Sequence, residues 1–284
     1  MIPLKKSLTI SIPTFNRPER LKNLLGALSR QDSFDFVVNI SDNNSDNLSR
    51  YRNIVNKNYP FECNYHRQEQ NIGHINNFKY LLKICSTELH AWIADDDIPS
   101  KNFVSECIKI HQNINPEAAL VFFNYLKRDT SDNVDEVLIN NSEEFERYSF
   151  LRDSYDLLYS KSDNKGFYKK IGIYGVFKTK FLKNLILQKN FFWSNERDLL
   201  YLIRQYGVFA VSNEKLLTKS TGPELNLDKK DPYYQSIKTR GSVTWFKRMI
   251  SASSYSLKVF NFLFLLPLFI KINLLILLKW LKNF

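Results

Sequence analysis

Three consecutive carboxylates, Asp95, Asp96 and Asp97, follow the apolar run His90-Ala91-Trp92-Ile93-Ala94 and precede Ile98 and Pro99. A buried strand excludes unpaired charge, so the three acids must sit where the strand leaves the core. Side chains alternate along extended backbone, which puts Asp95 and Asp97 on one face and turns Asp96 away. Two carboxylates on one face suit a hard divalent cation, Mn2+ or Mg2+. The same three residues also fit a solvated acidic turn, with Pro99 and Ser100 opening the next helix.

The neighbouring segments favour the first reading. Leu8 to Ile12 is a β-rich run that ends at Pro13-Thr14-Phe15-Asn16-Arg17-Pro18. Leu21, Leu24, Leu25 and Leu28 then mark one face of a helix. A second strand, Phe36 to Ser41, ends in Asp42-Asn43-Asn44-Ser45-Asp46-Asn47, and a helix is predicted from Leu48 to Val55. A short strand, Asn64 to Arg67, leads to Asn71-Ile72-Gly73-His74 and a helix whose face carries Phe78, Leu81, Leu82 and Cys85. After the strand that ends at Asp95 come a helix with Val104, Cys107 and Ile108 and an apolar strand, Ala119 to Tyr125.

Strands alternating with amphipathic helices predict an α/β fold with a Rossmann-like, mostly parallel sheet flanked by helices. Carboxyl ends of parallel strands open on one edge, where ligands bind. Four polar clusters, at residues 14–17, 42–46, 71–74 and 95–97, each follow a predicted strand and meet at that edge. The chain's eight glycines form neither a dinucleotide-binding fingerprint nor a phosphate-cradling loop. A diphosphate would instead be held by a metal clamped on Asp95 and Asp97.

Pro13 to Arg17 after the opening strand, Ser41 to Asp46 after the second, Asn71-x-Gly73 before a helix and Asp95 to Asp97 together resemble the family-2 glycosyltransferases of bacterial surface polysaccharide assembly. The resemblance covers residues 7–125 well and 170–220 loosely. It implies an A-type nucleotide-sugar fold, a divalent metal and transfer with inversion at the anomeric carbon. It also implies that Pro13, Thr14, Asn16 and Arg17 line the nucleotide pocket and that Asp42 hydrogen-bonds the base, most often uracil. Asn71, Gly73 and Asn77 would border base and ribose. Asp95 would face ribose and metal, Asp96 the donor, and Asp97 would be the main metal ligand. Residues 1–128 would form the donor-binding half of a 1–225 domain, and 129–225 its acceptor-binding half. His74 reads as a loop or packing histidine.

Residues 129–165 are polar and irregular in pattern, and Lys170 to Lys178, with Gly172 and Gly175, predicts a strand packed close to other backbone. Ser194 or Asn195 is a plausible helix cap before Glu196, Asp198 and the apolar positions Leu199, Leu202, Ile203 and Tyr206. Acids in a first turn can simply favour the helix dipole. The family places its catalytic base in a Glu-Asp pair at such a helix start. That pair is not intact here: Glu196 occupies the base's place, Asn195 precedes it and Asp198 competes. Val208 to Ser212 predicts a closing strand, and Lys219 is either a phosphate contact or a solvated lysine.

The net charge is +11 at pH 7, and the excess gathers after Lys229, pointing to an anionic surface such as membrane lipid or nucleic acid. No basic module for nucleic acid is recognisable, and amide- and acid-rich loops oppose a phosphate backbone, so no nucleic-acid partner is expected. Cys63, Cys85 and Cys107 have no paired spacing and read as core residues of a reducing compartment. Met1 leads straight into a strand without an apolar signal, so a cytoplasmic start is expected. Residues 226–284 read as a basic, apolar helical extension. Asn261, Lys271, Lys279 and Lys282 share one flank, and Pro267 would kink the helix. An interfacial helix on the inner membrane face fits best, with a docked helix or a spanning anchor as alternatives. That location suits a lipid-linked acceptor. A non-catalytic nucleotide-sugar-binding protein is the principal rival function.

Overall fold

The computed structural model describes residues 6–113, 118–128, 134–137, 175–187, 199, 203 and 208–220. The chain divides into two units, Met1–Asn226 and Leu227–Phe284, and every described residue belongs to the first. The predicted C-terminal helical extension therefore lies outside the described residues. No helix among the described residues is long and apolar enough to cross a membrane.

Strand β1 (Leu8–Thr14) lies parallel between β2 (Phe36–Asp42) and β4 (Leu89–Trp92), and β3 (Glu62–Arg67) extends the ladder beyond β2. These central strands are covered on both faces, so their polar side chains must find partners in the interior. Thr9 Oγ1 lies 2.6 Å from Thr87 Oγ1, and Ser11 Oγ lies 2.9 Å from His90 Nε2. Burial pushes the His90 imidazole down to about 3, so it stays neutral at physiological pH.

Helix α1 (Pro18–Leu28) opens on a proline, whose missing N–H costs nothing in a first turn. Leu21, Leu24, Leu25 and Leu28 are fully buried, as their spacing predicts. Each contributes roughly 1.5–3 kcal/mol by leaving water. Helix α2 (Leu48–Val55) is capped by Asn47, whose side chain accepts from the Arg50 N–H at 3.2 Å. Helix α3 (His74–Ile84) starts at Gly73, which sits at φ +77, a conformation that favours glycine. Helix α4 (Phe103–Asn113) buries Val104, Cys107 and Ile110, with Ile108 partly covered.

Beyond β4 the topology departs from expectation. Strand β5 (Ile98–Pro99), β6 (Ala118–Arg128), β7 (Val134–Val137), β8 (Gly175–Lys178) and β9 (Val208–Ser220) complete one sheet of order β3-β2-β1-β4-β8-β6-β9-β5, with β7 paired to β6. The pairs β1–β2, β1–β4, β2–β3 and β6–β9 are parallel, whereas β4–β8, β6–β8, β6–β7 and β5–β9 are antiparallel. The A-type fold with a Rossmann-like, mostly parallel sheet is thus corrected to a mixed sheet. The βαβ pattern holds through β4, and then short strands run back against their neighbours.

Helix α5 (Thr179–Ile186) follows β8 directly and donates from Lys183 Nζ to the Lys83 and Cys85 carbonyls at 3.1 and 2.5 Å, covering the end of α3. A Cβ at Gly175 would stand 2.7 Å from the Val121 carbonyl oxygen, the close backbone approach that its sequence context implies. Residues 170–174 of the predicted strand lie outside the described residues. Segment 129–165, read as irregular, contains β7.

Candidate functional site

The carboxyl ends of β1 and β4 bring Thr14, Arg17 and Asp95 together. The β4 ladder ends at Trp92, three residues before the first acid, so the strand does not run into the carboxylates as expected. Ile93 still donates to the Ser11 carbonyl at 3.1 Å, and the Asp97 N–H then closes a turn onto the Ala94 carbonyl at 3.1 Å. Inside and outside still alternate: Asp95 and Asp97 are buried, while Asp96 faces partly outward.

Asp95 Oδ2 accepts from Thr14 Oγ1 at 2.8 Å, and its Oδ1 accepts from Arg17 Nη1 at 3.3 Å. Burial pushes the Asp95 carboxyl up to about 6, against the opposing pull of the Arg17 charge and the Thr14 hydroxyl. Arg17 Nη1 also lies 3.4 Å from Asp96 Oδ2, and Arg20 Nη1 lies 2.6 Å from that same oxygen. The backbone N–H of Arg17 donates to the Tyr51 hydroxyl at 2.8 Å, and that hydroxyl lies 3.3 Å from Thr14 Oγ1. Pro13 is half-buried in β1, one residue before Thr14.

The second cluster gathers on Asp42, at the end of β2. Its Oδ1 accepts from the Ser45 N–H at 2.9 Å and the Ser45 hydroxyl at 2.5 Å. Its Oδ2 accepts from the Tyr65 hydroxyl at 2.5 Å and lies 3.8 Å from Arg67 Nε. Burial, followed by the Asp42 carboxylate, pushes the Tyr65 phenol upward. With its side chain 0% exposed, Asp42 organises its own loop in this structure.

Asn16, at φ +54, joins the two clusters. Its N–H donates to Ser45 Oγ at 2.8 Å, and its amide exchanges hydrogen bonds with Asp46 at 3.0 and 2.9 Å. Asn71 Oδ1 accepts from Asn43 Nδ2 at 2.8 Å and from the Gly73 N–H at 2.9 Å. Asn77 is buried and ties α3 to β2, accepting from Ser41 Oγ at 2.5 Å and donating to the Ser41 carbonyl at 3.0 Å. It is a structural clamp in this arrangement. His74 packs edge-on to Phe78 at 6.5 Å between ring centroids, which fits its reading as a packing histidine.

Two of the expected site residues, Glu196 and Asp198, lie outside the described residues. Leu199 and Ile203, from the apolar face predicted after them, have helical backbone and are fully buried. Lys219 lies in β9, opposite Lys127 of β6.

Sequence reasoning missed Tyr51, Tyr65, Arg20 and Arg67. Only Arg20 carried a usable signal, since it lies in the first turn of the helix that Arg17 caps.

No group of three or more His, Cys, Asp or Glu side chains disposed to hold a metal occurs among the described residues. A hard divalent ion such as Mg2+ or Mn2+ can bind with fewer protein ligands than that. Such ions commonly take one or two carboxylates and draw their remaining ligands from water and substrate phosphates.

A family model described as glycosyl transferase family 2 matches residues 9–178. The chain is 32% identical over 93 residues to the abequosyltransferase RfbV of Salmonella typhimurium, a match covering 32% of this chain and 28% of that protein. The structure of S. aureus TarS 1-349 in complex with UDP-GlcNAc is similar with a TM-score of 0.53 at 14% identity, covering 85% of this chain and 66% of that one. The mannosyltransferase PcManGT from Pyrobaculum calidifontis, in complex with GDP-Man and Mn2+, is similar with a TM-score of 0.54 at 10% identity, covering 91% and 66%. The chain spans 28% of the length of RfbV and 38% of a longer TarS structure. The structural likenesses are likenesses of fold alone. The family match takes in β1 through β8, and with them the strand ends that gather Thr14, Arg17 and Asp95, so this chain belongs to glycosyl transferase family 2.

Proposed function

We propose that this chain transfers a sugar from a nucleotide-sugar donor to a hydroxyl group of a growing bacterial surface glycan. The observation that carries the reading is the meeting of Thr14, Arg17 and Asp95 at the ends of β1 and β4, beside the buried Asp97. Asp95 and Asp97 hold a divalent cation in this reading, with Asp97 as the main ligand. Such a cation, when bound, supplies positive charge to the leaving nucleoside diphosphate.

Pro13, Thr14, Asn16 and Arg17 line the donor's approach, and Asn71 and Gly73 shape the border of the base pocket. Glu196 takes the proton of the acceptor hydroxyl, with Asp198 as the competing base. Attack from the side opposite the diphosphate inverts the anomeric carbon. The basic, apolar composition after Lys229 supports work at the inner face of the membrane on a lipid-linked acceptor.

UDP is the expected nucleotide and GDP the main rival, since the two similar structures above carry one each. Calorimetric titration with UDP, GDP and dTDP, with and without Mn2+ and alongside Asp97→Ala, tests the donor site. Metal-dependent binding that disappears in the variant is expected. Absence of binding by all three nucleotides would overturn the reading. Glu196→Gln should abolish transfer while donor binding persists; near-normal turnover would move the base to Asp198.

A further inference from the structure

Arg20 belongs to none of the polar clusters that mark the site. It stands in the first turn of α1, three residues after Arg17, which caps that helix. Its Nη1 reaches 2.6 Å from Asp96 Oδ2, a bond that spans 76 positions of sequence. Hydrogen bonds between charged partners are shorter and stronger than neutral ones, and this contact is of that kind.

Arg17 Nη1 stands between two carboxylates, 3.3 Å from Asp95 and 3.4 Å from Asp96. The two distances are nearly equal, so the balance of charge on the two acids bears on where this guanidinium rests. Arg20 acts on one side of that balance, because it partly neutralises Asp96. The side chains of Arg17, Arg20 and Asp96 are 30%, 32% and 23% exposed, so water screens these pairs only in part.

We infer that Arg20 is a positioning residue for the donor site: its ion pair with Asp96 keeps Arg17 on Asp95 and fixes the Ala94–Asp97 turn against α1. The role rests on the donor reading above. It assigns Asp96 to the support of the turn and not to the donor itself. Without Arg20, Asp96 carries its full charge and draws Arg17 outward. The turn then loses its shorter tether to α1, and the two inward carboxylates lose their fixed spacing.

The test is a double-mutant cycle of wild type, Arg20→Gln, Asp96→Asn and the double variant, read by calorimetry with UDP and Mn2+. Urea unfolding without ligand provides the control on folding. Arg20→Gln should weaken UDP binding about five- to thirtyfold, within the range of coupling between contacting residues. In the Asp96→Asn background the same change should shift affinity less than about twofold, because the partner through which Arg20 acts is gone. Arg20→Lys should recover part of the loss. An Arg20→Gln variant that binds like wild type overturns the role. An equal loss in both backgrounds also overturns it, since it would make Arg20 a direct donor contact.

If Arg20→Gln does not fold, the comparison passes to Arg20→Asp against Arg20→Asp with Asp96→Arg. Recovery of affinity in the swapped pair supports the role, and no recovery overturns it. A wild-type chain that binds none of the three nucleotides overturns the donor reading together with this role. Binding by wild type with an unaffected Arg20→Gln overturns this role alone.

Discussion

Two acidic clusters sit at neighbouring strand ends and are built in opposite ways. Asp42 is sealed: both its oxygens are taken by Ser45, Tyr65 and Arg67, and its side chain reaches no solvent. Asp95 and Asp96 instead share two arginines whose side chains are about a third exposed. The sealed cluster shapes a loop. The shared one holds charge that can be regrouped when an anion and a cation arrive. On the donor reading proposed above, binding chemistry belongs at the turn and rigidity at the β2 end.

Substitution at the two ends should separate these roles. Asp97→Asn should cost at least about a hundredfold in metal-dependent UDP affinity, since the proposed main metal ligand is removed. An affinity within threefold of wild type, measured by calorimetry, would break the contrast. Asp42→Ala should act in the reverse sense. It leaves Tyr65 and Arg67 without their buried partner, and a loss of about 3 kcal/mol in urea unfolding is expected. A fully stable Asp42→Ala protein that fails only in UDP binding would return Asp42 to the base pocket.

Acidity should sharpen the difference further. Asp95 titrates near 6 when folded, against 3.8 for the unperturbed group. Between these values the folded protein keeps a proton that the unfolded chain has lost. Asp95 therefore favours folding below about pH 4 and withdraws that support as pH rises through 6. Relative to Asp95→Asn, wild type should lose up to about 3 kcal/mol across this interval. Metal-dependent donor binding should strengthen over the same interval, because the carboxylate forms there. Parallel urea curves for the two proteins from pH 4 to 7 would contradict the assignment.

His90 has the opposite sign. Its folded value is depressed to about 3, so its contribution is complete above 6.5 and is lost as pH falls toward 3. Replacing it with Gln should flatten the acid limb of the stability curve. The smallest effect is expected at Asn47→Ala, where losing the α2 cap should cost about 1 kcal/mol and leave UDP affinity unchanged.

The first half of the chain was readable because its signals are local. Four leucines at helical spacing mark α1, and the inward pair Asp95 and Asp97 follows from backbone alternation that persists into a turn. The end of β4 was not readable, because Ile93 and Ala94 remain apolar after the ladder has stopped. Strand direction was not readable either. Four residues of β8 carry no mark of running against β4, and the two residues of β5 are too few to show a period. The partners of Asp42 and Asp96 lie more than twenty residues away in sequence, except Ser45, so residue type alone did not reveal that one carboxylate is sealed and the other shared.

Strand β8 also has a mechanical side. Among the described residues its four positions stand between β4 and β6 in the sheet order, so this seam links the ladder under the polar clusters to β6, β9 and β5. Gly175 lets the seam lie flush against Val121, and a methyl group at that position would wedge it open. Force or thermal motion that parts the protein along its sheet should therefore divide it here, with Gly175 acting as the stitch.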